Sequence, residues 1–493
     1  MPKQTDQAPI NLVWLKRDLR TTDHAALAAA EAWRLPYLVV YLWEPDLYGY
    51  PDTSTRHLQF VYHSILGMDQ QRLHAYGRKV DILHTDAVSA FGFLTERYRV
   101  EHCFSYQESG TRLSWQRDKQ VRKLFGQRAV EWTEFQRDGI ERGITDRDGW
   151  DTRWFKRMQQ PLVENRFSQN TLRPLEHPFP LSEAMIEMLA AYPEHYQPAG
   201  ETAAWQQLKS FTSGRGNNYH LNISRPVESR DSCTRLSPHL AWGNLSVRQA
   251  YQHIRQHPAY NAHKRAFSAA CTRLKWHCHF IQKFEVECDY ETVCVNRGYE
   301  QLERSTNSEH LEAWQSGQTG FPLVDACMRC LQVTGWVNFR MRAMLVSFLC
   351  HHLDQDWRNG VYHLARLFLD YEPGIHYTQF QMQAATTGIN TVRIYNPVKQ
   401  SKDNDPEGRF IRRWVPELAG VPDQFIPEPW MMDSFDQQTC GVTIGVDYPR
   451  PIVDHMASAR SARSKIWGHR KNQQVRAERG RILQTHTRNR RAR

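Results

Sequence analysis

The first 135 residues alternate short apolar runs with segments of helical periodicity. The apolar runs are rich in β-branched and aromatic residues, which predicts buried parallel strands. Helical stretches at 25–33 and 90–97 lie between them, as in doubly wound α/β domains. The predicted strands are 12–15, 37–42, 80–83, 100–105 and 130–135. No glycine-rich phosphate loop follows the first strand, which argues against a dinucleotide bound to this domain.

The pattern changes twice further along the chain. Residues 136–200 contain six prolines and little periodicity, which predicts a long linker between domains. From 201 to 435 apolar residues recur at helical spacing, which predicts an all-α domain. Residues 436–493 are expected to form a basic C-terminal extension that is partly disordered. The predicted fold is a Rossmann-like α/β domain at 1–135 followed by an all-α C-terminal domain.

Composition excludes several classes of protein. The 493 residues are 12% aromatic with a mean hydropathy of −0.67, and no apolar run reaches 18 residues. We therefore expect no membrane partner. The polar N-terminus lacks the pattern of a signal peptide and the ten cysteines are irregularly spaced, so we expect a soluble, cytoplasmic protein. Cys327 and Cys330 have no second close pair, so no metal site is predicted.

Positive charge is concentrated at the C-terminus. From residue 457 onward the chain has 12 Lys and Arg and one acidic residue, whereas the preceding part is nearly neutral. Such a tail suits phosphate backbones, because binding releases the counterions around a nucleic acid. The alternative is a solvated tail with no fixed partner.

Four segments, in order along the chain, carry a family resemblance. They are LVWLKRDLR at 12–20, CTRLSPHL at 233–240, TGFPLVDACMR at 319–329, and a stretch at 387–418 that includes RIYNPV and FIRRWVPEL. Together they resemble the photolyase/cryptochrome family over about residues 10–435, as an atypical branch. The resemblance implies an N-terminal antenna domain and a helical domain that holds a folded FAD. It also allows a second, antenna chromophore of unspecified identity on the first domain.

The resemblance assigns residues to the FAD. Those in or near the family's phosphate-binding segment are Tyr219, Thr234, Arg235, Leu236 and Ser237. Hydroxyls and backbone N–H groups ahead of a helix are natural donors to a pyrophosphate. Arg342 and Asp370 match a pair beside the isoalloxazine ring, where a cation favours a negatively charged flavin. Without the resemblance, these groups would be interpreted as a helix-capping turn and a structural ion pair.

A DNA lesion site is implied with departures from the common pattern. Trp276 matches a tryptophan on which the family stacks a flipped base. Arg273 replaces a common Glu, Gln383 replaces a second stacking Trp, and Phe339 replaces an Asn. The histidine pair of the (6-4)-type enzymes is also missing. We predict that Arg273, Trp276, Phe339, Arg340 and Gln383 contact DNA or the lesion.

The family's electron-transfer chain of three tryptophans is only partly present. Trp357 matches the middle member and is the predicted electron-transfer residue. The inner position falls at Gln381, and the outer one falls near 304–305, where no Trp occurs. Tyr371, Tyr377 and Trp336 are candidate substitutes. The residue that faces flavin N5 is expected within 374–378, with His376 and Tyr377 as the alternatives.

Three functions are compatible with these residues. The first is a blue-light-dependent DNA photolyase that transfers an electron from reduced FAD to a pyrimidine dimer in UV-damaged DNA. The second is a cryptochrome-like photoreceptor without repair activity, which the departed pocket and the basic tail would also suit. The third is a flavin-binding module without light chemistry. We favour the photolyase, because Trp276 and the bases around it suit DNA.

Overall fold

The computed structural model describes residues 9–73, 79–167 and 175–487, without the side chains of Gln71 and Arg72. Five parallel strands form one sheet in the order β3-β2-β1-β4-β5. The strands are β1 (Pro9–Leu15), β2 (Tyr37–Leu42), β3 (Val80–Leu83), β4 (Arg99–Tyr106) and β5 (Glu131–Phe135). Each coincides closely with a predicted apolar run, and the predicted α/β class of the first domain is confirmed.

Helices cover both faces of this sheet. They are α1 (Ala25–Ala32), α2 (Pro45–Tyr48), α3 (Thr55–Met68), α4 (Ala87–Arg97) and α5 (Arg112–Arg128). Because side chains alternate along a strand, Val13 and Leu15 of β1 pack with α1 and α3 on one face. Leu12 and Trp14 pack with α4 and α5 on the other. The central strand is therefore buried on both sides.

The stretch 136–200 contains two helices as well as irregular chain. They are α6 (Trp150–Gln159) and α7 (Glu183–Ala190). The sequence showed several prolines and little periodicity here, but Trp150, Trp154 and Met158 are spaced four residues apart and form a buried stripe on α6. This stripe packs in the same apolar cluster as Val247, Ala250 and Ile254 of the helical domain described next, which holds α6 against that domain.

The second domain is helical, as predicted. Its helices are α8 (Glu201–Ser210), α9 (Tyr219–Asn222), α10 (Ser229–Ser232), α11 (Ser237–Ala241), α12 (Val247–Gln256), α13 (Lys264–Val286), α14 (Ser308–Ser316), α15 (Pro322–Thr334), α16 (Phe339–Ser347), α17 (Arg358–Leu367), α18 (Pro373–Gln383), α19 (Pro397–Asn404), α20 (Arg409–Trp414) and α21 (Ser434–Cys440). Short π-helical turns lie at Asp69–Leu73, Phe211–Arg215 and Phe348–His352, and 3₁₀ turns at Pro258–Tyr260, Cys288–Glu291, Arg297–Gln301, Pro416–Leu418 and Pro429–Met431. The long α13 packs against α18, and these two helices flank the site described below.

The C-terminal extension is more ordered than expected. It carries α22 (His455–His469) and α23 (Gln473–His486), both packed on the helical domain. Val475 and Ile482 of α23 are buried in the core of that domain, and the Arg481 guanidinium lies 2.7 Å from the Glu287 carboxylate. The expectation of disorder rested on the charge of the segment and overlooked this apolar spacing. Residues 488–493 lie outside the described part of the chain.

The two domains meet at the carboxyl end of β1. The Arg17 guanidinium lies 4.3 Å from the Trp242 ring centroid, and Arg137 donates a 2.8 Å hydrogen bond to the Glu372 carboxylate. Gly243 has a φ of +74°, and a Cβ there would lie 2.2 Å from the Arg17 carbonyl oxygen. Only glycine allows this approach. Within the described residues, no helix is both long and apolar enough to cross a membrane.

Candidate functional site

A deep cavity opens in the helical domain between α11, α13, α16 and α18. It holds about 1260 Å³ of free space including its mouth, which is ample for a large cofactor. The predicted site residues that line it are Tyr219, Thr234, Arg235, Ser237, Arg273, Trp276, Phe339, Arg342, Asp370 and Gln383. Leu236 is buried beside this wall in the neighbouring apolar cluster. The structure thus brings together residues from segments far apart in sequence.

Local signals place the lining helices. The Asn338 side chain accepts a 3.0 Å hydrogen bond from the Met341 N–H and so caps the start of α16. This start puts Phe339 and Arg342 in the first turn, three residues apart on one face. Pro373 occupies the first turn of α18, where its missing N–H costs no helical hydrogen bond.

One end of the cavity is suited to an anion. The Arg235 guanidinium lies 4.0 Å from the Trp336 ring centroid, and the Trp336 indole donates a 3.2 Å hydrogen bond to the Ser237 hydroxyl. Burial lowers the pKa of Arg235 to about 10. Among the described residues, no carboxylate forms an ion pair with it. A phosphate at this end would supply the missing counter-charge.

The other end holds an ion pair and several polar atoms without partners. Arg342 donates a 2.6 Å hydrogen bond to Asp370 Oδ2. Buried polar atoms normally have hydrogen-bond partners. Five buried atoms of the cavity-lining residues have none within the described part of the chain: His277 Nε2, Asp370 Oδ1, Glu372 Oε1, Gln379 Oε1 and Gln383 Nε2. Polar groups of molecules bound in the cavity would satisfy these atoms.

A second, wider cavity adjoins the mouth of the first and opens to the surface. It holds about 1710 Å³ of free space and shares Arg273, Trp276, Phe339 and Gln383 with the deep cavity. The Trp276 side chain is 42% exposed. The basic residues of its wall are Arg273, Lys275, Lys283, Arg340 and Arg393. The sequence analysis missed Lys283 and Arg393, although each is a basic residue close to a site motif. We call this outer cavity, with its basic wall, the basic mouth.

Comparison with known proteins identifies the family. A family model described as DNA photolyase matches residues 11–140, and one described as the FAD binding domain of DNA photolyase matches residues 270–468. The first match takes in the α/β sheet and the second takes in most of the cavity wall. The chain belongs to the photolyase/cryptochrome family.

Relatives within the family differ in the activity that their names state. A deoxyribodipyrimidine photo-lyase of Alkalihalophilus pseudofirmus is 37% identical over 274 residues, which is 55% of this chain and 56% of the relative. A cryptochrome DASH of Synechocystis sp. is 27% identical over 488 residues, 93% of this chain and 98% of the relative. The Escherichia coli deoxyribodipyrimidine photo-lyase is 28% identical over 481 residues, which is 90% of this chain and 96% of the relative.

Two solved structures share the fold. A Synechocystis sp. cryptochrome aligns with a TM-score of 0.84 at 24% identity, over 92% of this chain and 99% of that one. A class III photolyase from Agrobacterium tumefaciens aligns with a TM-score of 0.83 at 23% identity, over 94% of this chain and 98% of that one. At these identities the likeness supports the fold and leaves the choice between photolyase and cryptochrome open.

The second domain of this photolyase/cryptochrome family member is an FAD-binding domain, so the predicted cofactor is confirmed. The deep cavity fits FAD in its size and in the polar and charged groups of its wall. The individual assignments of Tyr219, Thr234, Arg235, Leu236, Ser237, Arg342 and Asp370 to the FAD stay predictions. The predicted second chromophore is taken up below.

The two candidates for the residue that faces flavin N5 lie in different surroundings. His376 lines the cavity, whereas the Tyr377 ring stacks on Phe284 away from it. The His376 ring nitrogen Nε2 donates a 2.8 Å hydrogen bond to the Val361 carbonyl. Burial lowers the pKa of His376 to about 4, so the imidazole is neutral near pH 7.

Phe380 lies between the cavity and Trp357. Its ring lines the cavity, and its centroid lies 6.5 Å from that of the buried Trp357. Gln381, which the sequence analysis placed there, instead donates hydrogen bonds of 2.8 Å to the carbonyls of Tyr290 and Val293. The Phe380 ring therefore separates Trp357 from the cavity.

Proposed function

We propose that this protein is a blue-light-dependent DNA photolyase that splits cyclobutane pyrimidine dimers. One observation carries the proposal: the FAD cavity is continuous with the basic mouth, and Trp276 stands where they join. A pyrimidine dimer flipped out of the duplex would reach the flavin by this route. Reduced FAD, when bound and illuminated, supplies the electron for dimer splitting. The proposed activity acts on DNA and hence inside the cell.

The residues of the chain have separate tasks in this proposal. Trp276 offers an exposed indole face for stacking a flipped base. Arg273, whose guanidinium lies 4.5 Å from the Trp276 ring centroid and 5.2 Å from that of Phe339, holds a cation beside the lesion. Gln383 presents an unpartnered buried amide Nε2 that can donate to a pyrimidine carbonyl. Arg340 and Arg393 would bind the DNA phosphates.

A cryptochrome-like photoreceptor without repair activity is the second candidate. The C-terminal segment contacts the loop that follows α18 and the residue before the 3₁₀ turn at Arg297–Gln301, as a signalling segment would. Arg470 donates a 3.1 Å hydrogen bond to the Gly388 carbonyl, and Asn296 donates a 3.0 Å hydrogen bond to the Val475 carbonyl. In this account light chemistry at the flavin would change how α22 and α23 pack.

A second chromophore is also proposed, at the carboxyl edge of the sheet. The Sulfolobus tokodaii photolyase, 24% identical to this chain, was solved with two FAD molecules. Here a cleft of about 710 Å³ lies between the domains at the ends of β1 and β2. Its wall includes Trp14, Tyr41, Tyr48 and Trp242, whose flat rings suit an aromatic chromophore.

Repair of a defined substrate tests the proposed function. The bound FAD is reduced chemically, and the protein is mixed with an oligonucleotide that contains one thymine dimer and then illuminated with blue light. The photolyase predicts catalytic recovery of intact thymines in the light and none in the dark. Bound dimer DNA that stays unrepaired, with FAD fully reduced, would reject the photolyase and favour the photoreceptor.

A further inference from the structure

Four tyrosines form a line from the cavity wall to the protein surface. Behind His376 lie Tyr371 and Tyr377, whose ring centroids are 5.4 Å and 5.5 Å from the imidazole. Tyr377 is 6.5 Å from Tyr362, which is 6.3 Å from Tyr50. These are the separations of neighbouring aromatic rings in contact. Tyr371 and Tyr377 are buried, whereas Tyr362 and Tyr50 are half-buried. We call these four residues the tyrosine line.

At each end of the tyrosine line, tyrosine hydroxyls donate hydrogen bonds to a carboxylate. The Tyr371 hydroxyl donates a 2.5 Å hydrogen bond to Asp52 Oδ2, and the Tyr377 hydroxyl donates one of 3.3 Å to the same oxygen. At the outer end the Tyr50 hydroxyl donates to the Glu291 carboxylate. Burial raises the pKa of Asp52 and of Glu291, which makes each carboxylate, when ionised, a stronger proton acceptor than usual.

Trp357 is less suited than the tyrosine line to supply electrons to the flavin. Within the described residues its ring contacts Phe380 and no other aromatic side chain. The Arg358 guanidinium lies 4.8 Å from its ring centroid and is itself paired with Glu300 and Asp356. The indole N–H of Trp357 has the Cys294 thiol as its partner, which is a much weaker proton acceptor than a carboxylate. A tyrosine that is hydrogen-bonded to a carboxylate can release its proton as it loses an electron.

We propose that the tyrosine line is the route by which electrons from outside reach the flavin in this chain. Its inner entrance is Tyr371 or Tyr377, its relay is Tyr362 and its outer end is Tyr50, with Asp52 and Glu291 as proton acceptors. The proposal rests on the flavin cavity of the proposed function, but it holds whether or not the DNA is repaired.

The charges balance at each step. Light-excited oxidised flavin is the oxidant and takes one electron from the inner tyrosine, whose phenolic O–H bond breaks as the proton passes to Asp52. Tyr362 passes an electron to the inner tyrosine, to which Asp52 returns its proton, and Tyr50 at once refills Tyr362, which keeps its own proton. Tyr50 loses its proton to Glu291. A thiol from solution finally supplies one electron to Tyr50, becoming a thiyl radical and releasing its own proton to water, and Glu291 returns its proton to Tyr50.

Photoreduction of the FAD-loaded protein tests the line. Oxidised protein is illuminated without oxygen in the presence of a thiol, and the loss of oxidised flavin absorbance is followed. Tyr362→Phe keeps the ring but removes the redox-active hydroxyl, so we expect at least about a tenfold slower reduction. Tyr260→Phe, a buried tyrosine off the line, serves as the matched control and should reduce at the wild-type rate. FAD content per chain is measured for each variant to exclude loss of the cofactor.

Radical identity provides a second readout. Protein with ring-deuterated tyrosine and protein with ring-deuterated tryptophan are frozen under illumination without thiol, and their electron paramagnetic resonance spectra are compared. The tyrosine line predicts that only tyrosine labelling changes the protein radical signal. A signal that changes with tryptophan labelling, or a rate that falls in Trp357→Phe and not in Tyr362→Phe, would overturn the proposal. Failure of wild-type repair with chemically reduced FAD would count against the proposed function alone.

Discussion

Arg342 and Asp370 form a charge pair at the FAD cavity in which one carboxylate oxygen stays unsatisfied. Arg342 Nη2 donates to Asp370 Oδ2 over 2.6 Å, while the buried Oδ1 has no partner among the described residues. The Asp370 side chain is 2% exposed and that of Arg342 is 25% exposed. The pair therefore presents a cation and a free hydrogen-bond acceptor to the same ligand.

Removing the cation of this pair should weaken both the fold and FAD retention. Arg342→Gln leaves Asp370 as a buried charge without a counter-ion, which costs about 3 kcal/mol. We expect a lower melting temperature and a lower FAD content per chain after gel filtration. Lys399→Gln, which breaks an exposed ion pair with Asp403, is the control and should change neither. Full FAD content in Arg342→Gln would contradict the role assigned to the pair.

Trp276 should discriminate damaged from undamaged DNA. Loss of one stacked base is worth about 1–3 kcal/mol, so Trp276→Ala should weaken binding of a dimer-containing duplex by roughly tenfold to a hundredfold. Binding of undamaged duplex should change little, because its bases stay stacked. Fluorescence anisotropy with both duplexes measures this. Trp33→Ala, an equally exposed tryptophan of the first domain, is the control. An equal loss for both duplexes would remove Trp276 from the lesion site.

The basic mouth should set the salt dependence of DNA binding. Neither Arg340 nor Arg393 has a carboxylate partner among the described residues, so both are available for phosphates. The logarithm of the DNA-binding constant falls linearly with the logarithm of the salt concentration, and Arg340→Gln and Arg393→Gln should each make this slope less steep by about 0.9. Lys275 already pairs with Asp151 at 2.6 Å, so Lys275→Gln should lower it less. Unchanged slopes for the two arginine variants would place the DNA elsewhere.

Buried histidines should make the fold sensitive to mild acid. Burial lowers the pKa of His57 and His351 to about 3. Below an unfolded-state pKa of about 6.5 the unfolded chain binds protons that the native state excludes, so stability falls as the pH drops, by about 2 kcal/mol for each at pH 5. Glu285 opposes this, because burial raises its pKa to about 7 and its contribution is lost as the pH rises through that value.

Melting curves at pH 7 and pH 5 check the balance of these groups. We expect a lower melting temperature at pH 5, with a smaller drop in His57→Gln, whose amide can still donate to the Phe368 carbonyl that His57 contacts. A melting temperature that is equal or higher at pH 5 would contradict the assignment of neutral buried histidines.

The sheet could be predicted because each strand is a short segment rich in apolar, β-branched and aromatic residues, with β1 and β2 the most apolar. Helix α6 was missed, since Trp150, Trp154 and Met158 are separated by charged residues and followed by prolines. Helix α23 was missed because its three arginines outnumber its two buried apolar residues, Val475 and Ile482. In both, a narrow apolar stripe packs against a surface that is distant in sequence. The local composition of a segment does not predict a packing partner that is distant in sequence.

At the site, motifs predicted which segments meet but not which side chains face inward. Successive helical residues point about 100° apart, so one residue of offset decides whether His376 or Tyr377 lines the cavity. The same offset exchanges Phe380 for Gln381. The contact between Tyr50 and Glu291 joins residues from two domains, 241 positions apart, and no local pattern announces it.

The most direct test of the central claim is the fluorescence lifetime of the chemically reduced, bound flavin with saturating dimer DNA. If an electron passes from the flavin to the lesion, the lifetime should shorten with dimer-containing DNA, stay unchanged with undamaged DNA, and recover as the dimer is repaired. A lifetime that dimer DNA leaves unchanged, with binding verified in the same sample, would contradict the photolyase account.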